Sequence, residues 1–294
     1  MIDLAVHMRH PDQVSRFAEE KAGRFADGGS GTSEMGRKSV REILKASRLD
    51  RIYVGDEFCP RRLPGPRRWK TFREQAIAAG LKVTLLTPPM TDGEIAKSRS
   101  LFDILVPKDE VVVNDWGVML FLEEEFPCLS VSMGRLLNRG MKDTRLSDRF
   151  LNCTADGQTL LEETTFDGSG FLAFASARGI HRLERDLAPH SASLGFLKTD
   201  LVHSIYFPFG YVATGRVCRI AEMKNGGAPR WVPGAPCRQD CKRAAIRMIH
   251  ESTRLVHHQN GNTVFYRYPE YLLDRLAKIT DFREIRLVYQ GWAL

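Results

Sequence analysis

Short apolar runs of strand length recur from end to end of this 294-residue chain, and helix-length segments separate them. Strands are expected at residues 2–6, 51–54, 82–86, 111–113, 128–131, 181–187, 201–206 and 284–289, with a further apolar run at 102–106. Helices are expected at 11–25, 39–47, 69–79, 116–125, 167–179 and 270–278. In the first of these Val14, Phe17 and Ala18 make the inner side. Ser39 with Glu42 reads as a capping box for the second, and Asp167 reads as the cap of the fifth. Strands alternating with helices argue for a parallel α/β fold. The strands spread over the whole chain, which favours a TIM-like (β/α) barrel, complete or partly open, over a doubly wound sheet. No internal repeat and no clean linker divides the chain, so residues 1–294 read as a single domain. In such folds the reactive groups gather at the C-terminal ends of the strands.

The formal charge of +7 and pI of about 9.2 favour anionic partners. They suit RNA and small carboxylates or phosphates equally well. The opening MIDLAVHMRHPDQ lacks a basic segment followed by a long apolar run, and no stretch approaches the roughly 18 apolar residues of a membrane span. A cytoplasmic protein is the expectation. In that reducing compartment cysteines bind metal or do chemistry rather than pair as disulfides.

Three of the six cysteines fall in residues 217–243, VCRIAEMKNGGAPRWVPGAPCRQDCKR. Gly226, Gly227, Pro229, Pro233, Gly234 and Pro236 keep helix and strand out of the stretch between Cys218 and Cys237. An irregular excursion of that length needs a staple or a function. Cys237 and Cys241 have the spacing of one metal site. Cys59 lies just past a strand end and supplies a fourth thiol. Four thiolates suit a tetrahedral zinc ion or a [4Fe–4S] cluster. Two close C-x-x-C pairs are missing, which tilts the reading toward the cluster. Arg61, Arg62, Arg216, Arg219, Arg238, Lys242 and Arg243 flank the four thiols, and such charge would raise a cluster's potential. Cys128, in FPCLSV, reads as a small buried hydrophobe. Cys153 has no partner at metal spacing.

Other polar residues sit near strand ends. Asn114 and Asp115 follow an apolar run and could line a barrel mouth or cap the helix that starts at Trp116. Arg135 and Arg185 could clamp a substrate carboxylate in a bidentate fork, or lie on the surface. Arg61, Arg62, Arg67, Arg68 and Lys70 make the densest basic patch, with Trp69 inside it, a pattern that suits partner docking or base stacking. His257 and His258 adjoin Gln259-Asn260-Gly261 and read as exposed residues of a turn. The loop at 27–36 carries neither GxxxxGKS nor GxGxxG, and no HExxH or compact nucleophile–base pattern supports proteolysis.

Several stretches resemble the collagenase-like peptidase family, the U thirty-two group, and within it the UbiV type. They are IYVGDEFCPRR, VVVNDWGVM, YFPFGYVATGRVC and the pair PCRQDC, with GRLLNRGMKDTR and RLERDLAP as further matches. The resemblance implies a TIM-barrel-like domain carrying a [4Fe–4S] cluster on Cys59, Cys218, Cys237 and Cys241. It implies hydroxylation without dioxygen in ubiquinone biosynthesis, with prephenate suggested as oxygen donor for several relatives, and a heterodimer with a UbiU-like homologue. Other family members hydroxylate RNA, which leaves an RNA-base substrate as the alternative, beside a non-catalytic cluster-binding scaffold. The span between Cys218 and Cys237 is longer than the family's, and HSIYFPFG replaces the usual aliphatic-acidic strand.

Overall fold

The computed structural model describes residues 2–23, 37–107, 109–146, 153–191, 193–199, 201–224, 237–243, 245–279 and 285–291. The 27–36 loop and the Pro/Gly-rich residues 225–236 lie outside them. Eight parallel strands close into a barrel. They are β1 (Asp3–Met8), β2 (Arg48–Gly55), β3 (Lys82–Thr87), β4 (Glu110–Val113), β5 (Ser130–Met133), β6 (Arg182–Arg185), β7 (Val202–Phe207) and, last in the chain, β12 (Ile285–Tyr289). Each pairs with the next in sequence, except that β12 fits between β7 and β1 and closes the ring. Helices α1 (Gln13–Gly23), α2 (Lys38–Ala46), α3 (Pro66–Ala78), α4 (Asp92–Phe102), α5 (Trp116–Glu125), α6 (Ala155–Glu162) and α7 (Ser169–Ala177) fill the connections before β6. Among the described residues no helix is long and apolar enough to cross a membrane.

Alternation along each strand builds two cores. Outward residues such as Leu4, Val6, Ile52, Val83, Val111 and Leu287 pack on helix residues including Val14, Phe17, Val40, Leu44, Trp69 and Phe72. A buried side chain of this size contributes about 2 kcal/mol. Inward residues Ala5, Tyr53, Leu86, Val112, Tyr206 and Val288 fill the waist of the barrel. At its N-terminal end the filling turns polar: Glu110 accepts from Arg51 at 2.8 Å and from Arg286 at 2.7 Å. Burial works against the Glu110 carboxylate, but the two guanidinium groups outweigh it and hold its pKa at about 2.

The second sheet is absent from the sequence reading. Between β7 and β12 the chain forms β8 (Phe209–Thr214), α8 (Arg219–Lys224), β9 (Ile246–Ile249), β10 (Val256–Asn260), β11 (Thr263–Arg267) and α9 (Glu270–Ala277). The strands make an antiparallel sheet in the order β8-β11-β10-β9. Because it leaves from the end of β7, the insert lies over the C-terminal mouth. Phe58, just past β2, packs on Phe209, Tyr211 and Phe265 of the sheet.

Five local expectations need correction. Ser39 lies inside α2, whose N-cap is Arg37, and shares its buried hydroxyl between Glu270 and Asp274 of α9. The apolar run 102–106 forms no element of its own, because Phe102 closes α4, which starts at a full capping box of Thr91 and Glu94. Asp167 does not cap α7; its carboxylate binds Thr164 and Arg185, and the cap is Gly168. Cys128 sits in the turn before β5 and is exposed, while Leu129 beside it is the buried residue of that turn. His257 is a buried strand residue whose Nε2 meets the Thr144 hydroxyl at 2.9 Å, and His258 packs edge-on against Phe209.

Candidate metal centre and barrel mouth

The Cys59 loop is fixed by its own residues. At Gly55, the last residue of β2, φ is +118°, and a Cβ would come 2.3 Å from the Leu86 carbonyl oxygen. Only glycine lets the backbone pass β3 there. Asp56 follows and organises the turn. Its Oδ1 accepts from the N–H groups of Phe58 at 2.8 Å and Cys59 at 2.9 Å, and its Oδ2 pairs with Arg62 at 3.0 Å.

Three further contacts tie this loop to the insert. Arg62 donates to Asn260 Oδ1 at 3.1 Å, at the end of β10. Asn262 Nδ2 donates to the carbonyls of Phe58 and Gly215, each at 2.7 Å, and so joins the Cys59 loop to the hairpin and to the segment before Cys218. Gln239 Nε2 donates to the Arg61 carbonyl at 2.5 Å, which brings in the segment carrying Cys237 and Cys241. The hairpin itself turns at Gly261, where φ is +63° and a Cβ would stand 3.7 Å from Cys241 Sγ.

The four cysteines of the sequence reading are brought together. Cys59, Cys218 and Cys237 line one cavity of about 260 Å³ together with Arg216, Glu222 and Asn262. Cys241 is buried beside it, near enough for charge on Cys59, Cys218 and Cys237 to bear on it. Burial pushes the Cys59 thiol up to about 12, and the Asp56 charge adds to this against the pull of the Arg61 N–H and Arg62. Burial also raises Cys241, with Arg62 opposing. Thiols like these are poor free nucleophiles, and a bound metal that supplies positive charge is what would ionise them. The Gln239 N–H already donates to Cys237 Sγ at 3.3 Å. Among the described residues no three His, Cys, Asp or Glu side chains stand close enough to hold a metal ion as they are. The thiols come from three chain segments, with Arg62 and Arg216 beside them.

The barrel mouth next to this cavity is plugged. Arg135, 1% exposed, grips Glu57 through two nitrogens at 3.0 and 2.7 Å, Asp186 at 2.6 Å and Gln290 at 2.9 Å. Its guanidinium lies 3.7 Å from the Tyr206 ring centroid. Burial pushes Glu57 up to about 7, although Arg135 opposes the shift. These donors are taken, so Arg135 organises the mouth rather than offering a free fork. Arg185 faces outward from β6, with Asp167 at 2.8 Å and His203 at 3.2 Å. It lines a separate cavity of about 350 Å³.

Asp115 caps α5 through the Val118 N–H at 3.1 Å. Asn114 is buried and bridges two loops, donating to the Thr87 carbonyl at 3.0 Å and accepting from Leu136 N–H at 3.1 Å. Both also line a groove of about 1150 Å³ along the C-terminal face. Trp69 is fully buried, so it offers no base a stacking face, and Arg68 reaches back to the Arg9 carbonyl. Sequence reasoning missed Asp56, Gln239, Asn260 and Asn262. Asp56 had a signal, a short acceptor two and three residues before the N–H groups it binds; the others bind partners far away in sequence.

Comparison with protein-family models and with curated proteins gives no match for this chain.

Proposed function

We propose that Cys59, Cys218, Cys237 and Cys241 hold a [4Fe–4S] cluster over the C-terminal mouth of the barrel. On this reading the protein takes part in oxygen-independent hydroxylation of an aromatic or quinone precursor, in the manner of the UbiV type and beside a UbiU-like partner chain. The convergence of the Cys59 loop, the start of α8, the Cys237–Cys241 segment and the β10–β11 hairpin carries the proposal. Three side chains, Arg62, Asn262 and Gln239, bind these pieces to one another around a cavity walled by thiols. A structural brace alone would not need four thiols there.

When bound, such a cluster supplies one-electron transfer. The chain's own residues do the rest. Asp56 sets the direction of Cys59 by holding its N–H, and Arg62 places a cation beside the thiols. Phe58, Phe209, Tyr211 and Phe265 keep water from the inner side. With the mouth plugged at Arg135, substrate meets the protein in the groove lined by Asn114 and Asp115.

Purification without oxygen, followed by iron, sulfide and visible absorption measurements, tests the centre. Iron and sulfide in matched amounts, lost in Cys237→Ser, are expected. Zinc without iron would overturn the cluster in favour of a tetrahedral ion. The activity is tested separately, by anaerobic hydroxylation with and without this chain; product formed equally in its absence would refute the assignment.

A further inference from the structure

Away from the thiols, charged groups concentrate where the loops after β5 and β6 meet the inserted sheet. Lys142 stands at that junction. Its ammonium is 3.3 Å from Asp186 Oδ2 and 3.4 Å above the Tyr211 ring. Asp186 is shared, because Arg135 holds its other oxygen at 2.6 Å and the Tyr211 N–H also donates to Oδ2. Arg135, Glu57 and Asp186 are at most 3% exposed, whereas Lys142 is 17% exposed. Lys142 also forms part of the wall between the 350 Å³ cavity and the 1150 Å³ groove. An amine is therefore anchored on two sides and reachable from two others. It sits on the face where βα barrels place their chemistry.

We propose that Lys142 is a carbonyl-capturing amine and that the 350 Å³ cavity takes a small aldehyde or ketone. That volume is at the lower end of the range for small-molecule sites. The cavity wall combines the Ser193 hydroxyl with Leu187 and Phe196 for a carbon skeleton, while the Ser191 and Thr164 hydroxyls in the same wall donate to Glu162 and Asp167. In the step, the ammonium passes a proton to Asp186, and the free Nζ attacks the carbonyl carbon. A C–N bond forms, the carbonyl oxygen leaves as water with the returned proton, and a protonated imine remains. Ammonium plus carbonyl gives iminium plus water, with no electrons transferred.

The surroundings suit this step. Burial lowers the Lys142 pKa to about 8, with Asp186 and Glu57 opposing and Arg135 assisting. Roughly a tenth of the side chain is then neutral at pH 7, against well under about 1% for an ordinary lysine. The proposal is independent of the metal centre.

The test uses the full chain, acetaldehyde as probe and cyanoborohydride to trap the imine at pH 7, with labelled lysines located by peptide mass. Lys142 should label at least about tenfold faster than exposed Lys38 and Lys70, with a midpoint near pH 8. Lys142→Arg should lose that label and leave the other two unchanged. Labelling of Lys142 no faster than Lys38, or a profile that climbs only near the ordinary lysine range, would overturn the proposal. The comparison within the wild-type chain holds whether or not the variant folds. Running it with and without iron separates its failure from that of the cluster.

Discussion

A cation with no water around it must be answered by its neighbours, and Arg135 is answered four times over. Deleting it leaves Glu57 buried without its counter-ion and Asp186 with Lys142 alone, so Arg135→Ala should cost roughly 3–5 kcal/mol, read by denaturant unfolding. Two other buried residues set the acid response. Burial, helped by Arg185, lowers His203 to about 3, and burial holds His7 at about 4. Both folded values lie below the unfolded value near 6.5. The unfolded chain therefore takes up the protons first, and acid draws the equilibrium toward it. Stability should fall as pH drops from about 6.5 toward 3, by about 2 kcal/mol or more per histidine. His203→Gln keeps an acceptor for Arg185 and should flatten that limb. Glu57 acts in the other sense. Its folded pKa of about 7 lies above the unfolded value, so its contribution is present in acid and lost as pH rises through 7.

At the scale of elements, turns decide what reaches the site. Gly55→Ala would drive a Cβ into the Leu86 carbonyl at a φ that L side chains avoid. It should cost at least about 2 kcal/mol and weaken metal retention together with it, since the Cys59 loop starts there. Thr91→Ala removes one half of the α4 capping box and should cost about 1 kcal/mol, with thermal unfolding as the readout and metal binding unaffected. Many barrel strands were legible because they are buried on both faces and are rich in Val, Ile and Leu, as in KVTLLT, EVVV and IRLVY. The second sheet was not. Its strand β10 carries His257, Gln259 and Asn260, whose polar side chains find partners only once the chain has folded, and His258, which packs on Phe209. Helix α4 hid for a different reason: Ile95, Leu101 and Phe102 are a thin apolar face among Gly93, Ser98 and Ser100. Cys59, Cys218, Cys237 and Cys241 stand out from their setting in the sequence, and three of them line one cavity. Arg62 could be named only as a neighbouring charge, and Gln239 and Asn262 not at all, because their bonds to Asn260, Arg61 and Phe58, respectively, span 178 to 204 residues.

For the molecule as a whole, the barrel and the insert divide the work. Eight strands give a closed frame whose own mouth is filled by an ion-pair plug, and the insert adds the wall of the cavity beside the Cys59 loop. Neither part alone collects four thiols. Metal loading should therefore stabilise the contact between them, and chelation should lower the unfolding temperature more than loss of any one surface ion pair. The decisive measurement is the iron and acid-labile sulfide content of the protein isolated without oxygen, for the wild type and for Cys59→Ser, Cys218→Ser, Cys237→Ser and Cys241→Ser in turn. About four of each per chain in the wild type, with a marked fall in every variant, is the predicted result. Full iron and sulfide in the Cys59→Ser protein, or none in the wild type, would contradict the account.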